Sequence, residues 1–246
     1  MSWWFSSLSL LLLVFCFRGK ADDAPPPKKW ALFDPILDAY DVESLQTNKI
    51  EGAALRAVLQ SLAFANELWL RQERIKDLNN THATFLVDTI ATDGNGQTTA
   101  ENTFELSKLD GTQYGKEAWW PEGFAQAIKN VKGSNLVTVP EALRMLTGHE
   151  PVNLYNSTNP QTVTKDNFYL QILHPTRFIR KPLVLQIREK SKAKNLQAGW
   201  PYAVISFTAD SLWLMDADTA LAVNHVTDVV FEDISDMWTA KNELVI

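Results

Sequence analysis

Apolar positions recur at helical spacing in the first half of the chain and at strand spacing near its end. Over residues 51–78, Leu55, Val58, Leu59, Leu62 and Trp69 fall on one stripe with a period near 3.6. That spacing predicts a helix packed on a core. Glu67 and Arg71 stand four apart, in the order that favours an ion pair. Residues 84–91 read as a strand, and Asp93-Gly94-Asn95-Gly96 turns the chain back toward a second strand at 103–106. Trp119-Trp120-Pro121 opens a helix that ends near Gly133 and carries Phe124, Ala127, Ile128 and Val131 on one face. A further helix is predicted over 140–146, stopped by Gly148. Both have Pro at the start and Gly after the end, where the backbone asks for each. Residues 152–165 are rich in Asn, Thr, Ser and Pro and read as a loop or boundary.

From Phe168 onward the pattern changes to short strands, predicted at 183–188, 203–208, 212–216, 220–225 and 229–231. A basic loop occupies 189–195, and Ala209-Asp210-Ser211 and Ala217-Asp218-Thr219 make turns. Successive antiparallel strands joined this way bury one face and wet the other, and they need a helix or second sheet as cover. The expected fold class is therefore α+β. A helical and mixed domain over 30–160 precedes a β-rich module, an antiparallel meander, over 161–246.

The N-terminus stands apart from this body. Residues 3–17 are almost unbroken apolar sequence. As a helix they span roughly 22 Å, short of a bilayer core and normal for the core of a signal peptide. Gly19-Lys20-Ala21 offers small residues for cleavage after Ala21. Against a signal peptide, the basic residues Arg18, Lys20, Lys28 and Lys29 follow the apolar run instead of preceding it. The positive-inside rule then favours an anchor through residues 3–17 with the rest of the chain in the cytoplasm. Residues 1–21 are thus a signal or anchor segment, and 22–29, with three consecutive prolines, form a stiff linker. Asn79 and Asn156 begin glycosylation sequons that matter only on an export route.

Composition narrows the function classes. Across 246 residues the formal net charge is −6, which argues against a dedicated nucleic-acid binder. Nine Trp is a heavy load of core or interface material. The one cysteine, Cys16, lies in the apolar N-terminus, so the body has no disulfide, cysteine-type zinc site or thiol nucleophile.

Leu185-Gln186-Ile187-Arg188-Glu189-Lys190-Ser191-Lys192-Ala193-Lys194-Asn195 resembles the strand and basic loop that open the third, pleckstrin-like lobe of FERM domains, of the kind found in talin and in the tails of some unconventional myosins. The stretch from Ile205 to Thr219 is similar to that lobe's next hairpin, with its closing Asp-x-x-Thr turn. The likeness covers about a quarter of the chain. It implies a PH-like fold that takes short protein tails or acidic lipid headgroups near the inner face of a membrane.

Little points to catalysis. His82, His149, His174 and His225 are scattered without ligand spacing, and no metal site is expected. No nucleophile elbow, phosphate-cradling glycine loop or dinucleotide fingerprint occurs, so no catalytic residue or cofactor is assigned. The Asp93 turn does not fit a calcium loop, because Thr98 and Phe104 stand where an EF-hand needs Gly and Glu. Asp216 and Asp218 read as solvated turn residues before they read as a glycosidase pair. Arg188, Lys190, Lys192 and Lys194 are the candidate anion- or lipid-binding residues. The sequence thus leads first to a non-catalytic adaptor, membrane- or cytoskeleton-associated, acting through its C-terminal module. An exported soluble binding protein and an exported hydrolase without local motifs are the alternatives. The compartment stays open between the cytoplasmic face of a membrane and export.

Overall fold

The computed structural model describes residues 52–78, 81–90, 97–109, 120–156, 181–191, 196–207, 212–216, 223–226 and 233–245. The apolar segment 3–17, the proline linker, Asn79, Lys192, Lys194, the turns at 93–96, 209–211 and 217–219 and the strand expected at 229–231 lie outside them.

The described elements run α1 (Ala53–Trp69), a single π-helical turn (Leu70–Arg74), β1 (Ile75–Lys76), β2 (His82–Ile90), β3 (Gln97–Glu105), α2 (Trp120–Lys132), α3 (Val139–Thr147), β4 (Pro151–Asn156), β5 (Leu183–Ile187), β6 (Pro201–Phe207), β7 (Leu212–Asp216), β8 (Val223–Val226) and β9 (Ile234–Ala240). They build two wholly antiparallel sheets, of order β1-β2-β3 and β4-β9-β5-β6-β7-β8. The fold is α+β, as the alternating helical and strand periods predict.

The apolar stripe of α1 is buried: Leu55, Val58, Leu59 and Leu62 are withdrawn from water, each worth roughly 1.5–3 kcal/mol of burial. The helix lies against β5, β6 and β7. Val184, Ala203 and Met215 are fully buried there, and the small Ala203 allows close approach. The pleat sends Leu185, Tyr202, Leu214 and Met237 to the opposite face, where they join Leu183, Ile187, Leu212 and Ile234 in a second apolar cluster. The middle of the large sheet, β5 to β7, is therefore buried on both faces, where the meander pattern predicts one wet face. Near-continuous apolar runs such as Leu183–Ile187 suit that double burial.

The helix expected over 51–78 stops at Trp69. Asn66 leaves helical geometry, at φ −161° and ψ 87°. Its side-chain oxygen accepts from Trp69 N at 3.0 Å, and its amide donates to Leu244 O at 2.7 Å. A short amide competing for backbone partners in this way interrupts a helix. The following π-helical turn then delivers the chain to β1. The side chain of Glu67, and with it the expected pair to Arg71, lies outside the described residues.

The hairpin forms, longer than its sequence signal, with Ile90 opposite Gln97 and His82 opposite Glu105. α2 lies on β2 and β3, and its Gly123 faces the ring of Phe85. α3 begins with a capping box: Thr138 Oγ1 accepts from Glu141 N, and the Glu141 carboxylate accepts from Thr138 N. It ends at Gly148, whose φ of 72° suits glycine.

The loop expected over 152–165 begins instead with strand β4, paired to β9. Its polar residues serve a bulge. Asn153 Oδ1 accepts from Tyr155 N at 3.2 Å and Met237 N at 3.4 Å, and Asn153 Nδ2 donates to Asp236 Oδ1 at 2.8 Å. The two expected domains share their packing. Ser61 Oγ of α1 accepts from Leu183 N at 2.6 Å and donates to Leu183 O at 3.0 Å, while Gln60 donates to Asp216 O. α3 also touches β2 on one side and β4 and β9 on another.

Candidate functional site

β5 ends at Ile187, and the first residues of the basic loop are tied to the entry of β9. Arg188 N donates to Asp233 O at 2.8 Å, and Arg188 Nε donates to Ile234 O at 3.1 Å. Ser191 Oγ donates to Asp233 Oδ1 at 2.7 Å. The far root of the loop is tied as well: Gly199 N donates to Arg188 O, and Gln197 N donates to Tyr202 Oη at 2.9 Å. Arg188 is half-buried, its Nε committed to the backbone, while Lys190 is exposed. Of the four cations singled out by sequence, one thus holds the loop and one is presented to solvent; Lys192 and Lys194 lie outside the described residues. Asn156 is the last residue of β4, half-buried and opposite Asp236.

A second constellation has no local sequence signal. Arg74, at the end of the π-helical turn, places Nη1 2.5 Å from Asp88 Oδ2 of β2. Thr99 Oγ1 of β3 donates to the other carboxylate oxygen at 2.5 Å. The indole of Trp69 covers the guanidinium at 5.2 Å, in cation–π range. Gly148 closes the group: a Cβ there would stand 2.6 Å from Asp88 Oδ2 and 2.7 Å from Arg74 Nη2. Next to it, His149 Nδ1 stands 3.4 Å from Asn242 Nδ2. Burial holds the His149 pKa below the ordinary histidine value; Arg74 pushes the same way, Asp88 opposes, and Lys181 again lowers it. Lys181 Nζ in turn donates to Lys241 O at 2.6 Å.

This geometry suits a structural joint. The one carboxylate is occupied by its guanidinium and a hydroxyl, which leaves little for a substrate. Among the described residues, no group of three or more His, Asp or Glu side chains could hold a metal ion. His82 and Asp88 lie at opposite ends of β2, roughly 20 Å apart at the usual strand rise, so His82 and the His149 group serve different places. Asp216 ends β7 with its carbonyl held by Gln60; Asp218 lies outside the described residues. Among the described residues no helix is long and apolar enough to cross a membrane. No protein-family model matches the chain, and no curated protein matches it significantly.

Proposed function

We propose that the protein is a non-catalytic binding protein whose β-rich C-terminal part recognises protein tails or acidic lipid headgroups through the 189–195 loop. The observation that carries this reading is the contrast within that loop. Its root is fastened by Arg188, Ser191 and Asp233, and Lys190 is exposed to solvent, with no carboxylate bonded to it among the described residues. A cation beside a fixed root loses little ordering entropy when it meets an anionic surface. The local charge matters because the chain as a whole is acidic. Cations near an acidic membrane contribute about 1 kcal/mol each. Reversing Lys190, Lys192 and Lys194 to Glu together should therefore weaken partition onto phosphatidylserine vesicles by about 100-fold or more. Sedimentation with vesicles, run beside a titration with an acidic peptide, tests both ligand classes. Binding to either that is unchanged by the triple reversal removes the loop from the proposal.

The apolar run at 3–17 supports a second reading, an exported binding protein. Sequencing the mature N-terminus from the native source separates the two. A chain beginning at Asp22 with glycan on Asn79 or Asn156 favours export and removes the cytoplasmic adaptor.

A further inference from the structure

His149 sits where both sheets meet. It follows α3 and precedes β4. Its neighbour Gly148 is packed against Arg74 and Asp88 on the side of the small sheet, and Asn242, after β9, places Nδ2 3.4 Å from its Nδ1; Lys181, before β5, acts on its charge. Gln97 of β3 closes the group, its Nε2 3.0 Å from where a Gly148 Cβ would be. The neighbouring Glu150 carboxylate is engaged by Arg144 of α3.

Three observations make this place sensitive to one proton. Asn242 presents an N–H donor to Nδ1, a contact that needs that nitrogen unprotonated; a proton there sets two donors face to face. Among the described residues, the charges that act on the ring are those of the cations Arg74 and Lys181 and of the carboxylate Asp88. Asp88 is already bonded on both oxygens. The residue before the ring is packed closely on the Arg74–Asp88 pair: a Cβ at Gly148 would stand 2.6 Å from Asp88 Oδ2 and 2.7 Å from Arg74 Nη2.

We propose that His149 is a pH-sensitive fastener between the two sheets: its protonation places a third cation in this joint and loosens the packing of the Gly148–Glu150 segment on β2 and on the chain after β9. The depressed proton affinity of the folded ring agrees with that direction. The unfolded chain binds the proton near the ordinary value of about 6.5. Stability from this group is therefore full above that value and lost as pH falls through it toward the lower folded value. A joint that opens on acidification is a device histidine supplies in other pH-sensing folds.

The test uses the full chain with His149→Asn, which keeps an acceptor for Asn242 and cannot take up a proton, and His149→Lys, which carries a permanent cation. Urea unfolding is followed at pH 7.5 and 5.5. The native chain should lose stability on acidification by several-fold more in its unfolding constant than H149N; the other three histidines are common to both. H149K at pH 7.5 should already unfold as easily as the native chain does at pH 5.5. Amide exchange in the native chain at pH 5.5, after correction for the intrinsic rate, should rise around Gly148–Glu150 and in β2. Parallel pH curves for the native chain and H149N, or an H149K as stable as H149N at pH 7.5, would overturn the proposal. Should H149N not fold, amide exchange in the native chain decides: corrected protection at Gly148–Glu150 and in β2 that is the same at pH 7.5 and 5.5 sinks the proposal, and its loss at pH 5.5 upholds it.

Discussion

Arg74 Nη1 lies 2.5 Å from Asp88 Oδ2 with both side chains almost entirely out of water, and the two are carried by different elements of the fold. Such a pair is costly to break singly, because the surviving charge stays buried. Asp88→Asn keeps the shape and the Thr99 contact but leaves the guanidinium uncompensated. It should destabilise the protein by about 3–5 kcal/mol in urea unfolding. A double replacement, Arg74→Met with Asp88→Leu, should recover most of that loss, since neither charge then remains to be solvated.

Ser61 makes the main polar bond between α1 and the start of β5, serving both the N–H and the C=O of Leu183. Ser61→Ala removes one hydroxyl and strands two buried backbone groups. A loss of about 2–3 kcal/mol is expected, well above the cost of so small a change in volume. Ser61→Cys, which fits but bonds weakly, should fall between the native chain and the alanine variant by chemical denaturation.

Gly123 lies in α2 with the Phe85 ring directly over it; a Cβ there would come within 2.0 Å of the ring edge. Helix propensity alone favours Gly123→Ala by about 1 kcal/mol. The clash should reverse that sign and destabilise by about 1–3 kcal/mol. Phe85 also packs edge-on against Phe124, at 5.0 Å between ring centroids, so it has little room to yield. Adding Phe85→Leu to Gly123→Ala should cost less than the two changes summed, which thermal melts of all four proteins would show.

The capping box of α3 predicts a pH effect of its own. The Thr138 backbone bond holds the Glu141 carboxyl below its usual range, and Lys132 adds to this. With the folded value depressed, the contribution is present above the unfolded pKa and lost as pH falls through the folded one. Glu141→Gln should flatten the melting temperature between pH 5 and 3 relative to the native chain. Thr138→Ala should cost about 1 kcal/mol at neutral pH.

The elements that local sequence predicts well are those whose own side chains decide them. The α1 stripe buries itself, and the Thr138–Glu141 box and Gly148 bound α3 without help from elsewhere. The break at Asn66 was hidden, because its amide is satisfied by Leu244 O near the other end of the chain. β4 read as a loop because Asn153 looks like a turn former; it became a strand only when Met237 and Asp236 arrived to use that amide. β9 was equally obscure, with Asp236 in mid-strand. Of the candidate sites, the cationic loop was visible as a run of Lys, yet the backbone role of Arg188 was not. Arg74, Asp88 and His149 gave no signal, since a buried charge is recognisable only by its partner.

The position of β9 bears on how the protein is made. In the large sheet β4 pairs with β9, and β9 pairs with β5, so among the described strands residues 151–156 join the meander through residues 234–240. A chain emerging from the ribosome can form the β5–β8 hairpins early but has to wait for that last strand before β4 finds its place. Closing such long loops is slow, on the order of milliseconds to seconds. During that wait both flanking strand edges are open to mispairing with other chains. Dilution, low temperature or a chaperone during refolding should accordingly raise yield more than added salt.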